Sequence, residues 1–267
     1  MKKSTRILAR IYVWTMLFLM YAPILVLMVF SFTEAKVIGS WTGFSLNLYP
    51  DLLKNKEIVT ALINTVVVAL SSAAVSTGLG TAGAIGIHYS GRRMKTALEG
   101  VSQIPIMNAE IVTALSLTIL FVYFGVKFNF LTLLIGHVVL TLPFVVLSIN
   151  PKLQQMDPNI YEAALDLGAR PSHALRRIIL PEIMPGIFSG FLLSVTLSLD
   201  DYIITAFTRD TSFTTLSTYV YGVTSKKGTL PPTLRALTTI IFLFALIILV
   251  VINVRKSRQA KGQGGKR

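Results

Sequence analysis

Three carboxylates stand where a carboxylate is costly. Glu110 lies in PIMNAEIVTALS, and Asp200 and Asp201 lie side by side in SVTLSLDDYIITAF, within or beside long apolar runs. An acid at the centre of a bilayer costs about 3 kcal/mol on insertion scales, so such residues usually face a cavity and serve a function. Acids lining a path favour a cation, and Tyr202, Tyr219 and Tyr221 add aromatic faces for ammonium groups and methylene chains. Counted from Ile183 at 1.5 Å per residue, Asp200 falls about 25 Å along its helix, near the outer end of the apolar core. Two readings of the aspartate pair therefore stand, a lining for a path and a marker of the membrane interface. Glu110 falls closer to the middle. Adjacent residues on a continuous helix point about 100° apart, so Asp200 and Asp201 address different surroundings, one the path and the other a neighbouring helix.

Other chemistry finds little support. There is no G-x-x-x-x-G-K-[ST] phosphate loop, so the chain is not an evident NTPase. His88, His137 and His173 are far apart and lack metal-ligand spacing. His137, inside an apolar run, reads as a satisfied packing residue or as a relay. The serines form no G-x-S-x-G elbow. With no cysteine, neither a disulfide framework nor a thiolate metal site is available.

The elements that must position these acids are membrane helices. The chain has 267 residues, 53% hydrophobic and only 14% charged, where soluble domains carry about a quarter charged residues. About 20 apolar residues cross a bilayer core, and six stretches qualify: about 11–32, 61–89, 101–126, 130–150, 183–207 and 233–254. The first follows a basic start, but it is longer than a signal-peptide core and has no small-x-small cleavage site, so it reads as a retained span. The net charge of +13 is a topology signal rather than a nucleic-acid footprint. Lys2, Lys3, Arg6 and Arg10, then Arg92, Arg93 and Lys95, then Lys152, Arg170, Arg176 and Arg177, then the tail after Arg255 all fall on one side, which the positive-inside rule makes cytoplasmic. Both termini are expected there.

On the opposite side, the loop over about 33–60 carries Trp41 and Tyr49, suited to the membrane interface. In the second run, Ser72, Ser76, Gly80 and Ala84 recur every four residues, a stripe that lets another helix approach closely. Between the fourth and fifth runs the chain turns polar at EAALDLGARPSHALRRIILP, Glu162–Pro181. Asp157 and Pro158 start a helix to about Leu167, Gly168 ends it in the left-handed region, and Pro171 or Ser172 starts a second helix interrupted at Pro181.

The spacing in this segment matters. Glu162-Ala163-Ala164, then Gly168, Ile178, Leu180 and Pro181, fills every fixed position of E-A-A-x3-G-x9-I-x-L-P. The segment resembles the EAA loop of ABC importer membrane subunits. The resemblance implies an all-α membrane protein with the six transmembrane helices of the type I permease fold. A single transmembrane domain would cover 1–254, with the EAA loop at 157–182 and a basic cytoplasmic tail at 255–267. It further implies a coupling helix docked in a cleft of a separate ATP-binding subunit, Glu162 making the polar contact, Ala163 and Ala164 permitting close approach and Gly168 setting the turn. The alternative for Glu162 is a solvated helix face.

Nearly end to end, and most sharply at LPFVVLSINPKL, YEAALDLGA and LSLDDYIITAF, the chain is similar to the second membrane subunit of spermidine/putrescine importers. That subunit also carries an Asp-Asp pair in its fifth span and an acid before IVTALSL. The resemblance implies a non-enzymatic permease in a bacterial inner membrane. It would act with a homologous first permease, two ATPase copies that carry ATP and Mg, and an external polyamine-binding protein, without nucleic acid. Glu110, Asp200, Asp201 and Tyr202 would line the substrate path. Related permeases for iron, thiamine, sulfate or molybdate share the general pattern, and an ATP-independent secondary transporter stands as a reading of another class.

Overall fold

A computed structural model describes residues 3–35, 39–157, 159–227, 231–244, 246–247 and 250. Regular structure among the described residues is entirely helical, in the order α1 (Lys3–Phe30), α2 (Leu48–Lys54), α3 (Lys56–His88), α4 (Arg92–Met107), α5 (Glu110–Tyr123), α6 (Phe130–Gln155), α7 (Asn159–Asp166), α8 (Pro171–Ala174), a π turn (Leu175–Ile179), α9 (Leu180–Asp200), α10 (Ile203–Thr208), α11 (Leu216–Lys227) and α12 (Pro232–Phe244). The absence of strands follows from the solvent, because a lipid-facing backbone must satisfy its own hydrogen bonds.

Among the described residues four helices are long and apolar enough to cross a membrane: Leu8–Phe30, Lys56–His88, Phe130–Gln155 and the continuous stretch Pro171–Asp200. The third expected span is not one helix. Arg92–Met107 and Glu110–Tyr123 meet at a bend of 102°, because Asn108 and Ala109 are extended. Of the sixth expected span the structure describes α12 and residues 246, 247 and 250; the remainder, and the basic tail at 255–267, lie outside the described residues.

The fifth expected span is shifted. Pro181 does not interrupt it, since helix runs from Pro171 to Asp200. Pro181 has no N–H and its ring crowds the carbonyl four residues back. The π turn at Leu175–Ile179 accommodates this by widening the ladder just ahead of it. At its other end the helix stops at Asp200, short of the expected Phe207, and α10 follows as a separate helix.

The chain forms two compact units, Met1–Val59 with Val220–Arg267, and Thr60–Tyr219. In the first, the loop after α1 folds on aromatic pairs. Phe32 stacks on Phe44 at 5.7 Å, Trp41 meets Phe30 edge-on at 6.3 Å, and Tyr49 Oη lies 2.9 Å from Ser31 Oγ. In the second, α6 packs along α9. Val145, Val146, Ile149 and Leu153 meet Ile179 and Ile183, with Ala84 and Ile87 of α3 in the same cluster. Lipid tails are as apolar as these side chains, so close packing and interhelical hydrogen bonds hold this core rather than water exclusion. The small-residue stripe of α3 supplies both. Ser72, Ser76 and Ala84 are fully buried, Ser76 Oγ lies 2.6 Å from Thr141 Oγ1, and a Cβ at Gly80 would stand 2.7 Å from Val145 Cγ1.

Candidate functional site

A cavity of about 550 Å³ opens in the second unit where two helix breaks meet. One break, at Asn108–Ala109, puts Glu110 in the first turn of α5. The other, at Asp201–Tyr202, ends α9 at Asp200 and starts α10 at Ile203. Glu110, Asp200, Asp201 and Tyr202 all line this cavity, with Asn108, Thr113, Phe144 and Leu197. Residues 90 positions apart in sequence are thus brought together: Asp200 ends a helix unbroken from Ile183, as its count along that helix assumed, whereas Glu110 starts a helix of its own and does not continue α4.

The two aspartates have different surroundings. Asp200 is exposed to the cavity at the last position of α9. A helix C-terminus carries partial negative charge, so an anion there is disfavoured by helix electrostatics. Glu110 sits at the favourable, N-terminal end of α5 and is half-buried. Asp201 is 6% exposed and its backbone is extended. Its Oδ1 accepts from Ile204 N–H at 3.1 Å, and its Oδ2 accepts from Thr205 N–H at 2.8 Å and Thr205 Oγ1 at 2.7 Å. That carboxylate satisfies the orphan N–H groups at the start of α10. The other end of α10 is satisfied from neighbouring helices, since Thr118 Oγ1 donates to Phe207 O at 3.0 Å and Thr132 Oγ1 to Thr208 O at 2.9 Å. Such a short helix is held among its neighbours by side chains that bond its backbone at both ends.

Sequence reasoning passed over His137 as a residue of this region. It is 1% exposed on α6 and bridges α9 and α10, its Nδ1 2.7 Å from Ser198 Oγ and its Nε2 2.9 Å from Thr205 Oγ1. Nε2 is also 3.5 Å from Asp201 Oδ2. A lone histidine in an apolar run gives no spacing signal that could have revealed this. Among the described residues no cluster of His, Asp and Glu could hold a metal ion.

At the far end of α6, Asp157 Oδ1 accepts from Asn159 N–H at 2.9 Å and starts α7; Pro158 lies outside the described residues. The end of α7 is a Schellman closure. Gly168 has φ +83°, Ala169 N–H donates to Ala164 O at 3.0 Å, and Gly168 N–H donates to Leu165 O at 2.9 Å. Glu162 and Ala163 are exposed, while Ala164 is turned inward and buried. The two alanines therefore do not share one outward face, because successive helix positions diverge by about 100°. Leu167, which sequence reasoning left aside, is 90% exposed beside Gly168. The short helix thus offers Glu162, Ala163 and Leu167 outward on a stem fixed by a glycine turn.

A multi-pass helical membrane protein with an acid-lined cavity between broken helices, and a short exposed helix ahead of the long stretch Pro171–Asp200, has the make-up of a transport permease. Residues 74–258 match the family described as binding-protein-dependent transport system inner membrane component, and the chain belongs to that family. It is 33% identical over 246 residues to the spermidine/putrescine transport system permease protein PotC of Shigella flexneri, covering 92% of both chains. It is 36% identical to the protein of the same description from Haemophilus influenzae, covering 87% of this chain and 90% of that one. In fold it resembles a chain from the crystal structure of a bacterial ABC transporter involved in the import of the acidic polysaccharide alginate. The TM-score is 0.69 at 15% identity, covering 96% of this chain and 98% of that one.

Proposed function

We propose that this chain is a permease subunit of an ATP-driven importer for polyamines and that it forms half of the translocation path. The observation that carries the cargo is the convergence of Glu110 and Asp200 on one cavity that Tyr202 and Phe144 also line. Two carboxylates and two aromatic rings in one lining suit a flexible chain bearing several ammonium groups. The names of the relatives, spermidine/putrescine permeases, support the same cargo. An oxyanion cargo such as sulfate or molybdate would meet like charge in this cavity.

Coupling in this reading runs through α7. Glu162, Ala163 and Leu167 seat against a separate cytoplasmic ATPase, which carries ATP and Mg, while buried Ala164 and the Gly168 turn hold the helix on its stem. Two ATPase copies, a homologous first permease and an external binding protein complete the assembly, with both termini of this chain on the ATPase side. Closure of the ATPase pair moves the helices as rigid bodies between two states. The test is uptake of labelled spermidine and putrescine by the reconstituted assembly, with ATP and a panel of unlabelled amines and oxyanions. Competition by polyamines alone is the expected result. Uptake of the polyamine unaffected by Glu110→Gln together with Asp200→Asn would sink the acid-path reading, and uptake without the ATPase would sink the coupling reading.

A further inference from the structure

We propose that His137 is a positioning residue for the cavity's acids: it clamps the two sides of the break at Asp201–Tyr202 and so fixes how Asp200 is presented. The inference rests on the cation-path reading of the cavity. His137 itself does not line the cavity and is buried, so it acts through the acids and not on cargo.

The geometry is specific. Ser198 lies on α9 just before the break and Thr205 on α10 just after it, and the imidazole joins them through its two nitrogens. Close packing reinforces the joint, because a Cβ at Gly136 would stand 2.7 Å from Ile204 Cγ2 and 3.0 Å from Thr208 Oγ1, so side chains of α10 press on α6 next to the ring. One assignment of protons satisfies the whole chain of groups. Thr205 Oγ1 donates to the Asp201 carboxylate, so it accepts from His137 Nε2–H. His137 Nδ1 is then bare and accepts from Ser198 Oγ, which in turn accepts from Ser72 Oγ at 3.1 Å. Four helices, α3, α6, α9 and α10, are thereby tied to the orientation of one carboxylate, whose own backbone carbonyl accepts from Ser217 Oγ at 2.7 Å.

Without the ring nitrogens, the Ser198 and Thr205 hydroxyls lose their shared partner and the angle between α9 and α10 is no longer pinned. Asp200, one residue before the break, moves with that angle relative to Glu110.

The chain lacks cysteine, so Asp200→Cys places a single thiol at the cavity wall. In the assembled importer that thiol is labelled with a cationic or an anionic methanethiosulfonate of similar size, and the ratio of the two rates reads the local field set by Glu110 and Asp201. At low salt the cationic reagent is expected to be favoured by about tenfold. His137→Phe, which keeps ring volume and removes both nitrogens, is expected to cut that preference to near unity and, with Asp200 native, to lower polyamine uptake about tenfold, since each buried hydroxyl loses a partner. His137→Gln, with an amide donor and acceptor, is expected to restore most of both. An assembled His137→Phe complex that keeps the parent preference overturns the proposal, whatever its uptake. A lost preference with unchanged polyamine uptake upholds the positioning role and overturns the cation-path reading. If His137→Phe does not assemble, Ser198→Ala frees one ring nitrogen without altering the ring and carries the same test: a reduced preference supports the clamp, and an unchanged one overturns it.

Discussion

Asp200 and Asp201 are neighbours of the same chemistry, and the structure requires their amides to behave differently. Asp201→Asn replaces one carboxylate oxygen by an NH2 group. The least costly orientation keeps the carbonyl oxygen at the Oδ2 place, where it still accepts from Thr205 N–H and Oγ1 at 2.8 and 2.7 Å, and turns the NH2 toward Ile204 N–H at 3.1 Å, donor against donor. One buried N–H at the start of α10 loses its acceptor and two charge-assisted bonds become neutral ones, a cost of about 2–4 kcal/mol. For a chain of this size that corresponds to a melting temperature lower by on the order of 5–10 °C. Asp200→Asn touches no such network. Asp200 is exposed and ends α9, so removing its charge relieves the helix dipole by about 0.3–1 kcal/mol. The assay pairs thermal unfolding of the purified complex with ATP-driven polyamine uptake at equal complex concentration. Asp201→Asn is expected to lower the melting temperature by several degrees, whereas Asp200→Asn leaves it unchanged or slightly raised and still lowers uptake about tenfold. Equal destabilisation by both amides, or an Asp201→Asn complex as stable as the parent, refutes the division of roles.

Three further outcomes follow from particular contacts. Gly80→Val drives a branched side chain into Val145, whose Cγ1 already stands 2.7 Å from the place a Cβ would take, and is expected to destabilise the second unit by about 1–3 kcal/mol, read as a lower melting temperature. Glu162→Ala removes an exposed side chain and is expected to change stability by less than about 0.5 kcal/mol, yet to lower both uptake and cargo-stimulated ATP hydrolysis in the full assembly; unchanged coupling counts against α7 as the docking helix. In the loop between α1 and α2, hydrogen bonds from Ser45 and Asn47 hold the Glu34 carboxyl below its ordinary value of 4.5. Its contribution is therefore fully present above 4.5 and is lost as the pH falls through the depressed folded value. With Trp14→Phe leaving Trp41 as sole reporter, the fluorescence change of this loop is expected below pH 4.5 and is abolished by Glu34→Gln.

What was legible in the sequence followed from local rules. Four spans were readable because lipid imposes a length and an apolar composition, and the α7 turn because only a glycine takes φ +83° without strain. The breaks were not readable. Asn108 and Ala109 interrupt an apolar run without a helix-breaking signature, since the nearby Pro105 lies inside α4 and not at the bend. Pro181 misled in the opposite direction. Proline marks a probable stop, yet the π turn ahead of it lets the helix continue.

The break at Asp201 shows why composition located the acids and could not assign them. Hydropathy counts a carboxylate as a cost wherever it falls in an apolar run, and that cost is met in two ways here. Asp201 is repaid within the chain by the N–H groups and hydroxyl it bonds, whose positions depend on where α10 begins. Asp200 stands exposed at a helix end that electrostatically disfavours it. Its helix does not offset that charge, and the carboxylate stays open to whatever fills the cavity, water included. Sequence periodicity cannot separate the two cases, because a helix assumed to run on through both residues differs from the broken one in the single backbone turn that carries the distinction.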